Sequence, residues 1–139
     1  MELIADAEAV IHAGDFVTAA LLDEIAALGA PLHAVYGNVD EPELRRRLPE
    51  TLEVEIAGAR ISVIHDAGPR AGRAERLRAR FPESDCAIFG HSHMPEHECL
   101  GEFQVFNPGS PTERRRATHR SMGMLEILAA EITLRHVHL

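Results

Sequence analysis

Short apolar runs alternate with turn-rich polar segments along this chain, and one run after another stops at a polar side chain. Ala9 to Ala13 predicts a strand that ends at Gly14-Asp15. From Phe16 to Leu28, the apolar residues Val17, Leu21, Leu22, Ile25 and Leu28 recur at helical spacing, and Gly29 supplies the stop. Pro31 to Tyr36 predicts a second strand, which runs into Gly37-Asn38-Val39-Asp40. Strand, helix and strand with polar residues at matching ends is the pattern of a βαβ layer. Ahead of it, Met1 to Ala7 carries Leu3, Ile4 and Ala7 at helical spacing but has no start signal, so it reads as the end of a helix.

Asp40 to Leu48 predicts a short helix with Pro42 in its first turn. Thr51 to Ile56 and Arg60 to Ile64 alternate about Gly58, a hairpin pattern whose second strand stops at His65-Asp66. Arg70 to Phe81 reads as an arginine-rich helix with a thin apolar stripe of Ala74, Leu77 and Phe81, its arginines forming a solvated face. Cys86 to Phe89 is a buried strand broken by Gly90, where the backbone can approach a neighbour closely, and His91-Ser92-His93 follows. In extended chain, residues two apart point to one side, so these imidazoles can share a target. Phe103 to Phe106 predicts a strand stopping at the turn Asn107-Pro108-Gly109-Ser110, and Met122 to Leu128 with Glu131 to Val137 predicts a terminal pair.

Composition narrows the class. The 139 residues are 45% hydrophobic and 26% charged, which fits one globular domain over residues 1–139 with no repeat or low-complexity linker. A formal net charge of -8 argues against a nucleic-acid polymer as partner, which needs a positive field. All 14 basic residues are arginine. Cys86 and Cys99 are too few for a disulfide scaffold. There is no apolar run of about 18 residues and no signal-peptide pattern. The expectation is therefore a soluble, cytoplasmic protein with reduced thiols and no membrane partner.

Four predicted strands end in groups that can hold a metal: Asp15, Asn38, His65, and His91 with His93. Open α/β sheets bind ligands at the carboxyl ends of their strands, where all of these fall. A carboxylate, an amide oxygen and three imidazoles form a mixed N/O set suited to Mn2+, Fe2+, Co2+, Ni2+ or Zn2+ rather than to Ca2+ or an all-thiolate site. A carboxylate can also bridge two ions about 3.5 to 4 Å apart, the clamp that hydrolyses phosphate esters through a bridging hydroxide. His12, His33, His97, His119, His136 and His138 lack that placement and read as ordinary surface or edge residues.

Gly14-Asp15, Gly37-Asn38-Val39-Asp40, His65, Gly90-His91-Ser92-His93 and Asn107-Pro108-Gly109-Ser110, in this order and at these spacings, resemble the motif series of the calcineurin-like metallophosphoesterases, in particular the small bacterial and archaeal phosphodiesterases. The resemblance runs from about Ala9 to the end of the chain. It implies an α/β fold, a four-layer αββα sandwich of mixed sheets, and a dinuclear centre. Asp15 would bridge two ions, with Asn38, His65 and His91 completing one site and His93 belonging to the other. Asp15 and Asn38 would act in catalysis, with Asn38 also orienting a phosphoryl oxygen of a small phosphate-ester substrate.

Two departures from the family pattern bear on function. The family opens with an Asp-x-His motif at the end of its first strand, and none precedes Gly14-Asp15 here. The expectation is a sandwich missing its first strand and most of its first helix, with one full ligand set, impaired activity, and a sheet gap that favours homo-oligomerisation. An N-terminally short version of a complete enzyme is preferred over a natural relic. The second departure is Val39, where many larger relatives carry a histidine thought to protonate the leaving group. The reading is a metal-dependent phosphodiesterase or phosphatase. Its alternative is a weakly active or inactive protein-interaction scaffold of the same fold, as in a retromer subunit that looks like it.

Overall fold

Strand alternation sorts the core residues onto two faces of one sheet. The computed structural model describes residues 10–13, 32–37, 42–91, 94–109, 121–128 and 131–138. In chain order its elements are β1 (Val10–His12), β2 (Leu32–Ala34), α1 (Pro42–Arg47), β3 (Thr51–Ile56), β4 (Ala59–Ile64), α2 (Arg73–Arg80), β5 (Cys86–Phe89), β6 (Glu96–Leu100), β7 (Phe103–Asn107), β8 (Ser121–Leu128) and β9 (Glu131–His138). Five strands form a mixed sheet in the order β3-β4-β5-β7-β6, in which β4, β5 and β7 run parallel while β3 and β6 are antiparallel edges. Strands β1 and β2 form a parallel pair, and β8 and β9 an antiparallel hairpin.

One face of the five-stranded sheet presents Ile64, Ala87, Phe89, Phe103 and Val105 to α2, which buries Ala74 and Leu77 against them together with Phe81. The opposite face presents Ala59, Ile61, Val63, Cys86, Ile88 and Phe106 to Val35 and Leu134, with Ile11, Leu125, Ile127 and Ile132 partly buried around them. The smaller sheets therefore stack on the face that the helix leaves free. Because β4 and β5 are covered on both sides, they read as nearly continuous apolar runs. Each buried large side chain contributes roughly 1.5–3 kcal/mol of transfer free energy, so this central pair anchors the domain.

The sequence pattern located these strands closely. β5 spans the expected Cys86 to Phe89, and the hairpin of β3 and β4 pairs Thr51 with Ile64 through Ile56 with Ala59. One strand escaped it: β6 is the polar run Glu96-His97-Glu98-Cys99-Leu100, an edge formed by pairing with β7. The helix expected over Phe16 to Leu28 and the helix end over Met1 to Ala7 lie outside the described residues.

Helix α2 starts at Arg73, three residues later than its composition suggests. The preceding loop is closed by its own polar groups: the Gly68 amide donates to Asp66 Oδ1 at 2.9 Å, and Arg76 donates to the carbonyls of Ala71 at 2.7 Å and Ala67 at 3.0 Å, and also to that of Pro69. At the other end Arg78 donates to the Ser84 carbonyl at 2.7 Å and covers the Phe103 ring at 4.3 Å. The expectation of a solvated arginine face thus fails for the buried Arg73 and the half-buried Arg78, while Arg76 stays exposed as it closes its loop. Loop carbonyls outside the sheet need donors, and a guanidinium offers five. Arg70, with 81% of its side chain exposed, fits the expectation.

His136 corrects a second expectation. Instead of an ordinary edge residue it is a ring stacked on Phe106, with centroids 4.4 Å apart and planes 18° apart, while His97 meets the same ring edge-on at 5.5 Å. Phe106 is also pressed by β8, since a Cβ on Gly123 would lie 2.5 Å from its Cε1 and 3.0 Å from its Cζ.

Gly123→Ala should therefore lower stability by about 1–3 kcal/mol, the usual cost of overpacking, read as a lower urea midpoint at unchanged slope; an unchanged midpoint would show that Phe106 can retreat.

The two cysteines separate in the same way. Cys86 and Cys99 both lie opposite Gln104 across the sheet, so two strand spacings, roughly 10 Å, keep them beyond disulfide reach. Burial, then the nearby Asp85 carboxylate and Cys99, push the Cys86 thiol from 9.0 up to about 12. In the native protein a thiol reagent at pH 8 should label the exposed Cys99 quickly and Cys86 only in denaturant. Since the folded state raises this thiol's pKa, the associated stability is intact below pH 9.0 and fades as pH rises towards about 12. Two equally fast thiols would contradict the packing of β5.

Candidate metal centre

The carboxyl ends of β1, β2, β4, β5 and β7 are tied to one another by specific hydrogen bonds. The Val35 amide, just past β2, donates to the His12 carbonyl of β1 at 3.2 Å. His65 follows the last residue of β4 and is buried; its Nδ1 lies 2.6 Å from the carbonyl oxygen of Ala13, just past β1. The Gly90 amide, just past β5, donates to the His65 carbonyl at 2.9 Å. Asn107 closes β7 and is fully buried; its Nδ2 donates to the Gly90 carbonyl at 3.1 Å while its Oδ1 accepts from the Gly109 amide at 2.9 Å. His136 of β9 then donates from Nε2 to the Asn107 carbonyl at 2.7 Å. A hydrogen-bonded series thus runs β2, β1, β4, β5, β7, β9.

This series determines the chemistry of His65. A carbonyl can only accept, so the nitrogen 2.6 Å from Ala13 carries the proton. In the neutral ring Nε2 is then left with the lone pair, and that atom is buried. A backbone carbonyl that fixes a histidine tautomer from behind is the usual support behind a metal-binding imidazole. The His91 ring stands beside it, with centroids 5.3 Å apart and planes at 87°.

Gly90 is where three segments crowd. A Cβ there would lie 3.2 Å from the Ala13 carbonyl oxygen and 3.5 Å from His65 Nδ1, next to the bond that sets the tautomer. The close backbone approach read from Gly90 is realised here. His91, however, departs from the extended chain assumed for His91-Ser92-His93: its φ is +71°, in the left-handed region. That conformation costs a non-glycine residue about 1–3 kcal/mol, so its surroundings must hold it there.

Of the five expected ligands, His65 and His91 are brought together. Asp15, Asn38 and His93 lie outside the described residues. Their chain neighbours Ala13 and Gly37 follow β1 and β2 at the tied edge, and Met94 comes three residues after His91. Among the described residues no group of three or more His, Cys, Asp or Glu forms a metal-sized cluster. The backbone-oriented imidazole of His65 beside a second imidazole nevertheless fits a divalent transition metal by the chemistry of its donors.

Sequence reasoning missed three supports. Asn107 was legible only as a turn residue, although asparagine before Pro-Gly can both build its turn and reach a neighbour. The Ala13 carbonyl has no signal of its own, because every residue offers one. Asp66 closes its own loop by accepting from the Gly68 amide.

Residues 1–130 match the family described as the calcineurin-like phosphoesterase superfamily domain. Over 112 residues the chain is 35% identical to the protein of Methanothermobacter thermautotrophicus named Probable metallophosphoesterase, covering 79% of this chain and 64% of that one. The chain thus spans less than two thirds of that relative's length. Among solved structures, an archaeal phosphodiesterase is 25% identical with a TM-score of 0.74, covering 98% of this chain and 88% of that one. The Zn2+ complex of Vps29 from Entamoeba histolytica has a TM-score of 0.74 at 22% identity, covering 99% and 86%, and speaks for the fold alone. The fold is accordingly the expected metallophosphoesterase sandwich of mixed sheets, and no described helix is long and apolar enough to cross a membrane. The chain belongs to the calcineurin-like phosphoesterase superfamily.

Proposed function

We propose that this protein is a divalent-metal-dependent phosphoesterase acting on small phosphate diesters or activated monoesters. The observation that carries the proposal is the hydrogen bond from His65 Nδ1 to the Ala13 carbonyl, which leaves Nε2 as the atom to bind a cation in a buried ring that stands beside His91. Asp15, Asn38, His65 and His91 would hold one ion; Asp15 would bridge to a second, shared with His93. Mn2+ is the first choice for a set of one carboxylate, one amide and three imidazoles. Such cations, when bound, polarise phosphoryl oxygens and make water acidic enough to attack at neutral pH.

The chain's own residues set the limits of the reaction. The Asn38 amide would donate to a phosphoryl oxygen and hold it in line. Val39 offers no proton, so the leaving group must be a good one or take its proton from water, which favours diesters and activated esters. A cytoplasmic setting keeps Cys86 and Cys99 as thiols. The second reading, a protein-interaction scaffold of the same fold, predicts folded protein that takes up no catalytic metal.

Protein loaded with Mn2+ should hydrolyse bis-p-nitrophenyl phosphate, lose that activity to a chelator, and regain it with added Mn2+. Asp15→Ala and His65→Ala should each lower the rate by about 100-fold or more, since even loss of a ligand's supporting partner costs 10–100-fold. Equal rates in wild type and both variants, with no metal retained by any of them, would end the enzymatic reading and leave the scaffold.

A further inference from the structure

Arg73 begins α2 and is 7% exposed, unusual burial for a guanidinium. Its Nη1 donates to Glu96 Oε2 at 2.7 Å, its Nη2 donates to the Gly68 carbonyl at 3.2 Å, and its Cζ lies 4.5 Å from the centre of the Phe89 ring. These partners are far apart in sequence but share one relation to the candidate metal centre. Gly68 is in the loop that leaves His65. Phe89 is two residues before His91, and Glu96 is three residues after His93. One side chain therefore grips the exit from His65 and both sides of the segment His91-Ser92-His93.

We infer that Arg73 is a positioning residue for the candidate metal centre, holding the His65 and His91 segments in register through Gly68, Phe89 and Glu96. The inference rests on the metal-centre reading and adds to it a residue from outside the ligand set. Two features of the structure require such a brace. His91 sits in the left-handed region, which persists only where flanking contacts over-determine it. The chain just before His91 is fixed by the Asn107 bond to Gly90, and Glu96, at the start of β6, is held by Arg73. Moreover, a buried ion pair seldom stabilises a fold better than an apolar replacement of similar size. What a planar guanidinium offers that an apolar chain cannot is two donors in fixed directions, here aimed at two different segments. Arg70 adds little, since its Nε is 3.9 Å from Glu96 and its side chain is largely exposed.

The test titrates Co2+ alone into metal-free wild type, Arg73→Lys, Arg73→Met and Glu96→Gln, reading affinity and the visible ligand-field spectrum at a temperature where circular dichroism shows each protein folded. Arg73→Lys keeps the charge without the fork, and Glu96→Gln keeps the shape without the charge, so the inference stands on them if Arg73→Met does not fold. The expected result is Co2+ binding about 10–100-fold weaker in the Arg73 variants, the range for lost support behind metal ligands, with an altered spectrum. The Arg73→Met/Glu96→Gln double variant should bind no more weakly than Arg73→Met alone. Variants that melt earlier but bind Co2+ with wild-type affinity and spectrum would overturn the inference and leave the metal centre standing. A wild type that binds no Co2+ would overturn both.

Discussion

The hydrogen bond from His65 to the Ala13 carbonyl is the contact on which the candidate site depends. It joins two sheets that pack face to face, and it does so at the edge where β1 and β4 finish. It also makes a chemical choice, because a neutral ring that donates from Nδ1 presents Nε2 as its base. A buried imidazole with either nitrogen protonated could satisfy packing. Only one tautomer leaves the outward nitrogen able to bind a cation, and a main-chain carbonyl from another strand selects it.

Around that bond the structure is arranged to allow little movement. Gly90 leaves the space that Ala13 and His65 occupy, and Asn107 and His136 extend the series of bonds to the terminal hairpin. Burial on both faces of β4 and β5 keeps the strands that carry these residues from shifting, and α2 seals one face with Ala74 and Leu77. The same helix contributes Arg73, whose buried guanidinium reaches the loops beyond the strands. Packing and positioning thus come from one element: its apolar stripe closes the core and its polar residues fix the site.

Much of this was legible in the chain. The apolar runs that became β4, β5 and β7 stand out because strands covered on both faces cannot dilute their hydrophobic pattern. His65 and His91 were recognisable because each comes directly after such a run or one glycine beyond it. What could not be read were interactions without a side-chain signature. The Ala13 carbonyl is common to every residue, β6 is polar because it is an edge, and His136 meets Asn107 across 29 positions of sequence. Arg73 looks like its neighbours in an arginine-rich helix, and only tertiary structure separates a buried arginine from an exposed one. The left-handed backbone at His91 was hidden for a related reason: the residue type gives no hint of a conformation imposed by its surroundings.

The central claim is that the fold, before any metal arrives, has already set the tautomer of His65. Long-range proton–nitrogen correlation NMR on metal-free protein labelled with 15N reads this directly. The account predicts a neutral His65 ring protonated at Nδ1, with the Nε2 resonance moving when Zn2+ is added. A proton found on Nε2, or a Zn2+ response at Nδ1, would contradict it.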